Sequence, residues 1–464
     1  MSLPEIFARQ RAAASAAAPT AAERRAHLRT LERAIKRHAP MLADAICADF
    51  GNRSLHETRL MEIFPSVEGV RTARRHVAQW MQPQTRAVAP YFAPAKARVR
   101  WQPKGVVGII VPWNYPVLLA MGPLVAALAA GNRVMIKMSE LAPHAADAFA
   151  HVLRAAFPDE HVAVIAGDTE IAKTFAALPF DHLLFTGSTR VGRSVMHAAA
   201  ENLTPVTLEL GGKSPVIVGA DAAIATVAAR VMSGKCRNAG QTCVAPDYML
   251  VPEERIPAFL EAARAIVGAR YPTLLANPDY TSVVNAAHFD RLVAALDDAR
   301  AKGARIESLH PTIDAHDRPT RTLPPTAILE PTDAMTVMQD EIFGPLLPIV
   351  SYRTLDEAIA FVNARPRPLA LYYFGHRQAD IERVLERTIS GGVTLNDVIY
   401  HFAQENLPVG GIGPSGMGAY HGRDGFETFS HKRAVFEQAR VNGLGLLEPP
   451  YGARFAAMLK LLIR

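Results

Sequence analysis

Cys243 and Glu209 are the two residues whose place in the chain best suits covalent chemistry. Cys243 ends the stretch NAGQTC at 238–243, and Glu209 lies in LELGG at 208–212, after an apolar run. A cysteine in a turn of Asn and Gly is poorly explained by packing, and the backbone N–H groups of such a turn are expected to lower the thiol pKa. The pair predicts a nucleophilic thiol and a separate base that activates water, which together pass an acyl group through a thioester.

Ordinary structural roles remain open for these positions. A free cysteine is most often a packed core residue, which suits Cys47 and Cys236. Glu209 would then pair with a nearby Arg or Lys. Asn114 stands between two prolines in PWNYP at 112–116, where it either caps a turn or donates a hydrogen bond to a developing oxyanion.

Several turns also carry residues suited to a dinucleotide. FTGSTRVG at 185–192 predicts a strand, a glycine turn and a helix start, which favours phosphate binding. It is a weak signal alone, because its two glycines do not form GxGxxG. The candidate residues are Gly187, Ser188 and Gly192 in this turn, Lys137 and Glu140 at the end of the second strand, and Glu341 and Phe343 in DEIFGP at 340–345. Each of them is also explained by an ordinary role as a surface charge, a turn residue or a core ring.

Composition narrows the class of protein. The chain has 464 residues, 49% of them apolar, and a net charge of +6 that is scattered along the sequence, so nucleic-acid binding is not expected. The three cysteines form no CxxC pair and no zinc-ligand spacing, which argues against disulfides and a metal site and favours a cytoplasmic location. No apolar run reaches the roughly 20 residues that span a bilayer.

The elements that position these residues follow a βα rhythm from about residue 99. The capping boxes SLPE at 2–5 and TAAE at 20–23 predict two helices before it. Continuously apolar strands in this rhythm predict two α/β domains with parallel sheets, which bind ligands at the carboxyl ends of their strands. The predicted strands include 106–111, 134–138, 162–165 and 183–185 in the first domain, and 216–218 and 327–329 in the second.

Two segments lie outside this rhythm. Residues 82–101 are rich in proline and predict an extended hairpin that projects from the body. The basic, amphipathic C-terminal tail predicts a helix docked on the protein, and weak peripheral membrane contact through it stays open.

Five motifs in a fixed order resemble the aldehyde dehydrogenase superfamily, from about residue 4 to about residue 433. CVAPDY, which starts at Cys243, and SGMGAYHGRDGFETFSH, which starts at Ser415, are similar to the class 3 branch and, within it, to the bacterial coniferyl aldehyde dehydrogenases. Met138 departs from the family, which usually has proline there. The five motifs are PWNYP at 112–116, FTGSTRVG at 185–192, LELGGKSP at 208–215, NAGQTC at 238–243 and EIFGP at 341–345.

The resemblance implies a homodimer of chains with an α/β fold and a small bridging β-hairpin domain. It implies a dinucleotide-binding domain at 1–82 and 102–208, a catalytic domain at 209–414, bridging segments at 83–101 and 425–440, and a tail at 441–464.

The resemblance also implies the role of each candidate residue. Cys243 would be the nucleophile and Glu209 the general base, and Asn114 with the Cys243 amide would form the oxyanion hole. A ribose-binding carboxylate favours NAD, whereas Lys137 would tolerate NADP. The implied cofactor contacts are Lys137 and Glu140 at the adenosine ribose, Gly187 and Ser188 at the pyrophosphate with Gly192 in the same turn, and Glu341 and Phe343 at the nicotinamide half.

The implied reaction oxidises an aldehyde to its acid through a thiohemiacetal and a thioester on Cys243. Coniferyl aldehyde or another aromatic aldehyde and medium-chain aliphatic aldehydes are both candidate substrates. Tyr115, Tyr400 and Phe402 suit either an aromatic-lined pocket or ordinary core packing. The alternatives are detoxification of fatty aldehydes by the same chemistry, a thiol esterase or CoA-acylating enzyme, which Glu209 argues against, and a structural or scavenging protein with little turnover.

Overall fold

Both predicted capping boxes begin helices in the computed structural model, which describes residues 2–15, 17–313 and 315–463. Glu5 accepts a hydrogen bond from the Ser2 backbone N at 2.8 Å, and Glu23 accepts one from the Thr20 backbone N at 2.7 Å. These bonds satisfy amides that a first helical turn leaves free. Four positions within the predicted segments 1–82, 209–414 and 441–464 lie outside the described residues, namely Met1, Ala16, Asp314 and Arg464.

Helices and strands alternate along the chain, which confirms the predicted α/β rhythm. The helices are α1 (Leu3–Ala14), α2 (Ala21–Phe50), α3 (Leu55–Thr58), α4 (Phe64–Trp80), α5 (Pro116–Ala130), α6 (Pro143–Arg154), α7 (Thr169–Ala176), α8 (Thr189–Ala200), α9 (Ile224–Cys236), α10 (Ile256–Arg270), α11 (Ala286–Ala301), α12 (Thr336–Gln339), α13 (Leu355–Asn363), α14 (Gln378–Arg387), α15 (Gly422–Thr428) and α16 (Ala453–Leu462). A π-helical turn spans Arg59–Ile63, and 3₁₀ turns span Pro90–Phe92, Arg237–Gly240, Glu253–Arg255 and Leu444–Leu447.

The strands form three sheets. They are β1 (Gln84–Arg86), β2 (Lys96–Pro103), β3 (Val106–Ile110), β4 (Arg133–Lys137), β5 (Val162–Ile165), β6 (His182–Thr186), β7 (Val206–Glu209), β8 (Pro215–Val218), β9 (Tyr248–Pro252), β10 (Arg305–Ser308), β11 (Thr326–Leu329), β12 (Leu346–Tyr352), β13 (Ala370–Phe374), β14 (Gly392–Leu395), β15 (Gly416–Met417) and β16 (Ser430–Glu437).

The first sheet has the order β15-β7-β6-β3-β4-β5, and its neighbours are parallel except for β15 on β7. Parallel strands end at a common edge, so the turns after β3, β6 and β7 lie together. Asn114 and Gly187 lie in the turns after β3 and β6, and Glu209 is the last residue of β7. The edge of this sheet therefore collects three candidates that are far apart in sequence.

The second sheet has the order β10-β11-β12-β9-β8-β13-β14, and only the edge strand β10 is antiparallel to its neighbour. Two mainly parallel sheets covered by helices confirm the predicted fold class. The chain passes from the first sheet to the second between Glu209, the last residue of β7, and Pro215, the first of β8. The exact domain boundaries stay a prediction.

The third sheet is small and fully antiparallel, with the order β1-β2-β16. Strands β1 and β2 form the hairpin predicted from the proline-rich segment. Strand β16 adds a third strand, whose pairing with β2 runs from Ser430 opposite Pro103 to Glu437 opposite Lys96.

The expectation of a docked C-terminal helix is wrong. Helix α16 forms, but it has no buried residue, and Leu461 and Ile463 are 71% and 75% exposed. An amphipathic period shows that a helix has an apolar face and does not show what covers that face. Within the described ranges, no helix is long and apolar enough to cross a bilayer.

Candidate active site

The loop that carries Cys243 is a tightly fixed turn after α9. Asn238 and Ala239 have φ angles of 50° and 49°, in the left-handed region that residues other than glycine rarely adopt. The Gln241 side chain holds this turn, because its Nε2 donates to the Asn238 carbonyl at 2.9 Å and its Oε1 accepts from the Val284 amide at 2.9 Å. Strained backbone persists only where the surroundings fix it, and such places cluster at functional sites.

The Cys243 thiol is partly exposed at the end of this loop. Burial raises its pKa to about 12, and the carboxyls of Glu341 and Glu209 add to the rise. The backbone amides of Cys243 and Val244 lower the pKa, as the turn predicted, but burial outweighs them. The expectation of a lowered thiol pKa is therefore wrong, and the resting thiol holds its proton at neutral pH.

Glu209 closes strand β7 and is almost completely buried. Burial raises its pKa well above the usual range of a carboxyl group. Its Oε1 has no hydrogen-bond partner in the described structure. This environment excludes the ordinary alternative of a carboxylate paired with a basic side chain, and it suits a proton carrier.

Asn114 is held against the thiol loop by direct hydrogen bonds. Its Nδ2 donates to the Gln241 carbonyl at 3.2 Å, and its own carbonyl accepts from Asn238 Nδ2 at 3.1 Å. The turn after β3 and the loop after α9 are thus joined to each other. The second N–H of the Asn114 side chain stays available for a ligand.

Sequence reasoning missed the buried charges behind these two turns. Arg53 Nη1 donates to the Asn114 carbonyl at 2.8 Å, and Arg53 Nη2 lies 3.1 Å from Glu62 Oε1, with both side chains fully buried. Glu62 Oε2 in turn accepts the amides of Val117 and Leu118 in the first turn of α5.

A second acid completes this group from the thiol side. The carboxylate of Glu57 accepts the Asn238 amide at 2.7 Å. The segment 53–62 reads as an ordinary helix with scattered charges, and no local pattern marks Arg53 and Glu62 as buried or Glu57 as half-buried.

One cavity of about 530 Å³ collects the predicted catalytic residues and most of the predicted cofactor residues. A cavity of this size is typical of a small-molecule or cofactor site. Its lining includes Asn114, Glu209 and Cys243 together with Gly187, Ser188, Glu341 and Phe343.

The lining of this cavity fits a dinucleotide. Ser188 caps helix α8. The backbone amides at a helix N-terminus favour the binding of phosphate. A Cβ added at Gly187 would meet the Phe185 ring, and one at Gly211 would overlap the Glu341 carboxylate, so the backbone there leaves no room to spare.

The remaining cofactor candidates lie outside the lining of this cavity. Lys137 Nζ is buried and donates to the carbonyls of Met138 and Gly167, at 2.7 and 2.8 Å, and it lies 3.9 Å from the exposed Glu140. Gly192 is buried in α8 against Leu210. Their predicted contacts with a cofactor stay predictions.

A second cavity of about 320 Å³ contains two of the three predicted substrate residues. Tyr400 and Phe402 line it. Tyr115 lines neither cavity, since its ring packs 4.7 Å from the Arg53 guanidinium and its hydroxyl bonds Thr242 at 2.9 Å. This position fits the core-packing alternative for Tyr115, because the buried Arg53 holds the ring in the core, and its contact with substrate stays a prediction.

Comparison with known proteins agrees with this geometry. The family model described as Aldehyde dehydrogenase family matches residues 6–435. The chain belongs to the aldehyde dehydrogenase family.

Within this family, the chain is similar to coniferyl aldehyde dehydrogenases of bacteria. The chain is 52% identical over 458 residues to a probable coniferyl aldehyde dehydrogenase of Caulobacter vibrioides, covering 97% of this chain and 94% of that protein. It is 50% identical over 424 residues to the coniferyl aldehyde dehydrogenase of Pseudomonas sp. strain HR199, covering 91% and 88%. The predicted similarity to bacterial coniferyl aldehyde dehydrogenases is thereby confirmed.

Solved aldehyde dehydrogenases share the fold. The substrate-bound state of Staphylococcus aureus AldH superposes with a TM-score of 0.93 at 37% identity and covers the whole of both chains. An NAD-dependent aldehyde dehydrogenase from Sinorhizobium meliloti has a TM-score of 0.85 at 26% identity, covering 97% of this chain and 89% of that one. The chain is accordingly an oxidoreductase that oxidises aldehydes with NAD(P), and the prediction of NAD as cofactor is confirmed.

Proposed function

We propose that this aldehyde dehydrogenase oxidises coniferyl aldehyde or a closely similar aromatic aldehyde, with Cys243 as nucleophile, Glu209 as general base and Asn114 as oxyanion donor. The observation that carries the proposal is that these three side chains line one cavity together with four cofactor candidates.

The first step forms a bond between Cys243 Sγ and the aldehyde carbon. The thiol releases its proton to solvent as this bond forms, and the carbonyl oxygen gains negative charge. The free N–H of Asn114 Nδ2 and the Cys243 backbone amide donate to that oxygen. Donors fixed before the reaction stabilise a developing charge at no cost of reorganisation, and the bonds from Asn114 to the thiol loop supply that fixity.

NAD, when bound in this cavity, supplies the acceptor for the hydride that leaves the same carbon. Glu341 and Phe343 would lie at its nicotinamide half, where Phe343 is held edge-to-face against Trp113 at 5.4 Å. Ser188 at the start of α8 would lie at its pyrophosphate. We infer a preference for NAD over NADP from Glu140, an exposed acid beside Lys137, since a carboxylate near the adenosine ribose disfavours a 2′-phosphate.

Glu209 then removes a proton from water, and the water oxygen attacks the acyl carbon on Cys243. The carbon–sulfur bond breaks, the acid leaves, and Glu209 gives the Cys243 sulfur the proton that it took from water. The buried position of Glu209 raises its pKa well above the usual range of a carboxyl group, which makes its carboxylate a stronger base than an exposed one.

The aromatic substrate is supported by the named relatives and by the 320 Å³ cavity with Tyr400 and Phe402 in its lining. The test is a panel of coniferyl aldehyde, cinnamaldehyde and straight-chain aldehydes, followed by the absorbance of reduced nicotinamide with each cofactor. We expect the highest kcat/KM with coniferyl aldehyde and NAD. A higher value for aliphatic aldehydes would reject the substrate assignment.

The base role has its own test in Glu209→Gln. This variant should release one equivalent of reduced cofactor per site and then stop at the acyl-enzyme, because the hydride step precedes the need for a base. Normal steady-state turnover would remove Glu209 from this role. Cys243→Ala, which lacks the nucleophile, should give neither burst nor turnover.

We also propose that the chain forms a dimer and works in the cytoplasm. The three-stranded sheet supports the dimer, because it stands apart from both α/β sheets and its outer strands β1 and β16 have unpaired edges. A nucleophilic thiol supports a reducing compartment. The test of the dimer compares the sedimentation of the wild-type chain with that of a chain that ends before β16.

A further inference from the structure

The 320 Å³ cavity lies next to the catalytic cavity, and none of the cofactor candidates lines it. Leu118 borders it, and the next residue, Leu119, borders the catalytic cavity. The charges of Glu209, Cys243 and Glu405 each raise the pKa of the buried Tyr420, so Tyr420 lies near both the catalytic residues and Glu405. An aldehyde bonded to Cys243 would therefore place the rest of its chain toward this second cavity.

The walls of this cavity are largely apolar. They include Leu60, Met61, Phe64, Leu118, Ile399 and Phe402. Such walls suit a flat aromatic or aliphatic body and give no orientation to its polar end. Orientation must come from the few polar groups at the cavity.

Two acids lie at the cavity, Glu68 and Glu405, and they differ in their partners. The carboxylate of Glu68 is bonded to Arg71 at 2.5 Å. That of Glu405 has neither a hydrogen bond nor an ion pair with any of the residues that the structure describes. Its Oε1 lies over Gly69, where an added Cβ would be 2.9 Å away.

The neighbouring charged and titratable groups do not neutralise the negative charge of the Glu405 carboxylate. Burial raises its pKa to about 7, and Glu68 adds to the rise. His421, which also borders the cavity, is neutral at pH 7 because burial lowers its pKa to about 4. Arg237 lines the same cavity but does not lower the pKa of Glu405. A carboxylate of this kind gains most from a donor that the ligand brings.

We propose that Glu405 is a specificity-determining residue that accepts a hydrogen bond from a hydroxyl at the far end of the aldehyde. This inference rests on the aromatic-aldehyde oxidation proposed above. It narrows the substrate class to aldehydes with a donor group remote from the carbonyl, such as a para-phenol.

The experiment compares coniferyl aldehyde with its 4-O-methyl ether, which keeps the shape and lacks only the donor. The wild-type enzyme should show a kcat/KM at least about tenfold higher for the phenol at pH 7, since a hydrogen bond to a charged group is worth about that much or more. In Glu405→Leu the ratio of the two kcat/KM values should fall to about one. Glu405→Gln, which keeps an acceptor without the charge, should restore part of it.

The control is Glu386→Leu, an exposed acid on α14 outside both cavities, which should keep the wild-type ratio. Equal use of phenol and ether by the wild-type enzyme would overturn the inference and leave aldehyde oxidation intact, as would an unchanged ratio in Glu405→Leu. Oxidation of neither compound by the wild-type enzyme would reject the proposed substrate itself. The wild-type ratio decides even where the Leu variant fails to fold.

Discussion

Replacing Arg53 by Met tests whether the buried charges organise the active site. The change removes the cation 3.1 Å from Glu62 and the hydrogen bond to the Asn114 carbonyl, and it leaves the Glu62 carboxyl fully buried with only two backbone amides. Breaking a buried pair on one side costs about 3–5 kcal/mol, from a total stability of about 5–15 kcal/mol. We expect a loss in the unfolding free energy of this size.

The double variant Arg53→Met/Glu62→Met separates charge from position. It leaves no lone buried charge, so it should be more stable than the single variant, but less stable than wild type because the first turn of α5 loses its acceptor. Urea unfolding of the wild type, Arg53→Met, Glu62→Met and the double variant completes the thermodynamic cycle. A single-variant loss below about 1 kcal/mol, or a double variant no more stable than the single one, would refute this reasoning.

The pH dependence gives the sign of the effect. Burial raises the pKa of Glu62, and Arg53 opposes the rise. Without Arg53, the folded-state pKa lies further above the unfolded value of about 4.3, so the folded variant favours the protonated acid. The deficit in stability relative to wild type should be small at low pH, where both folded proteins hold the protonated acid, and it should grow once the pH rises above the folded-state pKa of Glu62 in the wild type.

The same variant has a kinetic signature. Asn114 keeps its bonds to Asn238 and Gln241 but loses the third anchor, so its amide is less well placed for the oxyanion. Complete loss of an oxyanion donor costs about 10²–10³ in rate. A misplaced donor should cost less. We expect the rate of the burst of reduced nicotinamide to fall about tenfold, with little change in the KM for NAD.

Three further outcomes can be checked. The rate at which iodoacetamide alkylates Cys243 should rise with pH from 7 to 10 without a plateau, because the thiol pKa is about 12, and a plateau below pH 9 would contradict that environment. Gly211→Ala, whose Cβ would overlap the Glu341 carboxylate, should raise the KM for NAD at least about tenfold, while Gly443→Ala, where a Cβ meets nothing within 4 Å, should leave it unchanged. Removal of the chain after residue 440 should leave the unfolding midpoint nearly unchanged, since α16 buries no residue, and a clear fall would show that the helix is covered in solution.

Local patterns predicted most of the fold. The capping boxes at Ser2 and Thr20 and the apolar runs at 162–165 and 216–218 carry their information within a few residues, so they can be recognised without a structure. The edge where Asn114, Gly187 and Glu209 meet also followed, because parallel strands end on the same side. What the sequence could predict was which elements form and which turns share an edge.

The missed features depend on contacts between distant segments. Arg53 and Glu62 look like surface charges until α5 is packed against them, and Tyr115 looks like a pocket residue until Arg53 covers its ring. The thiol pKa was predicted in the wrong direction for a related reason. The turn around Cys243 shows its amides in the sequence, whereas the burial that outweighs them comes from the whole fold.

These contacts also explain how a site with acids and a thiol stays ordered before substrate binds. Burial raises the pKa of both Cys243 and Glu209, and the thiol, whose pKa is about 12, offers no charge to fix its neighbours at neutral pH. The fixed charges lie one layer behind, where Arg53 bonds the Asn114 turn and Glu57 bonds the thiol loop. A thiol that holds its proton lets an apolar aldehyde approach at low desolvation cost, and the ionic layer behind it keeps the oxyanion donors in place. Order and reactivity are therefore assigned to different residues, and substitutions in the two layers should separate them.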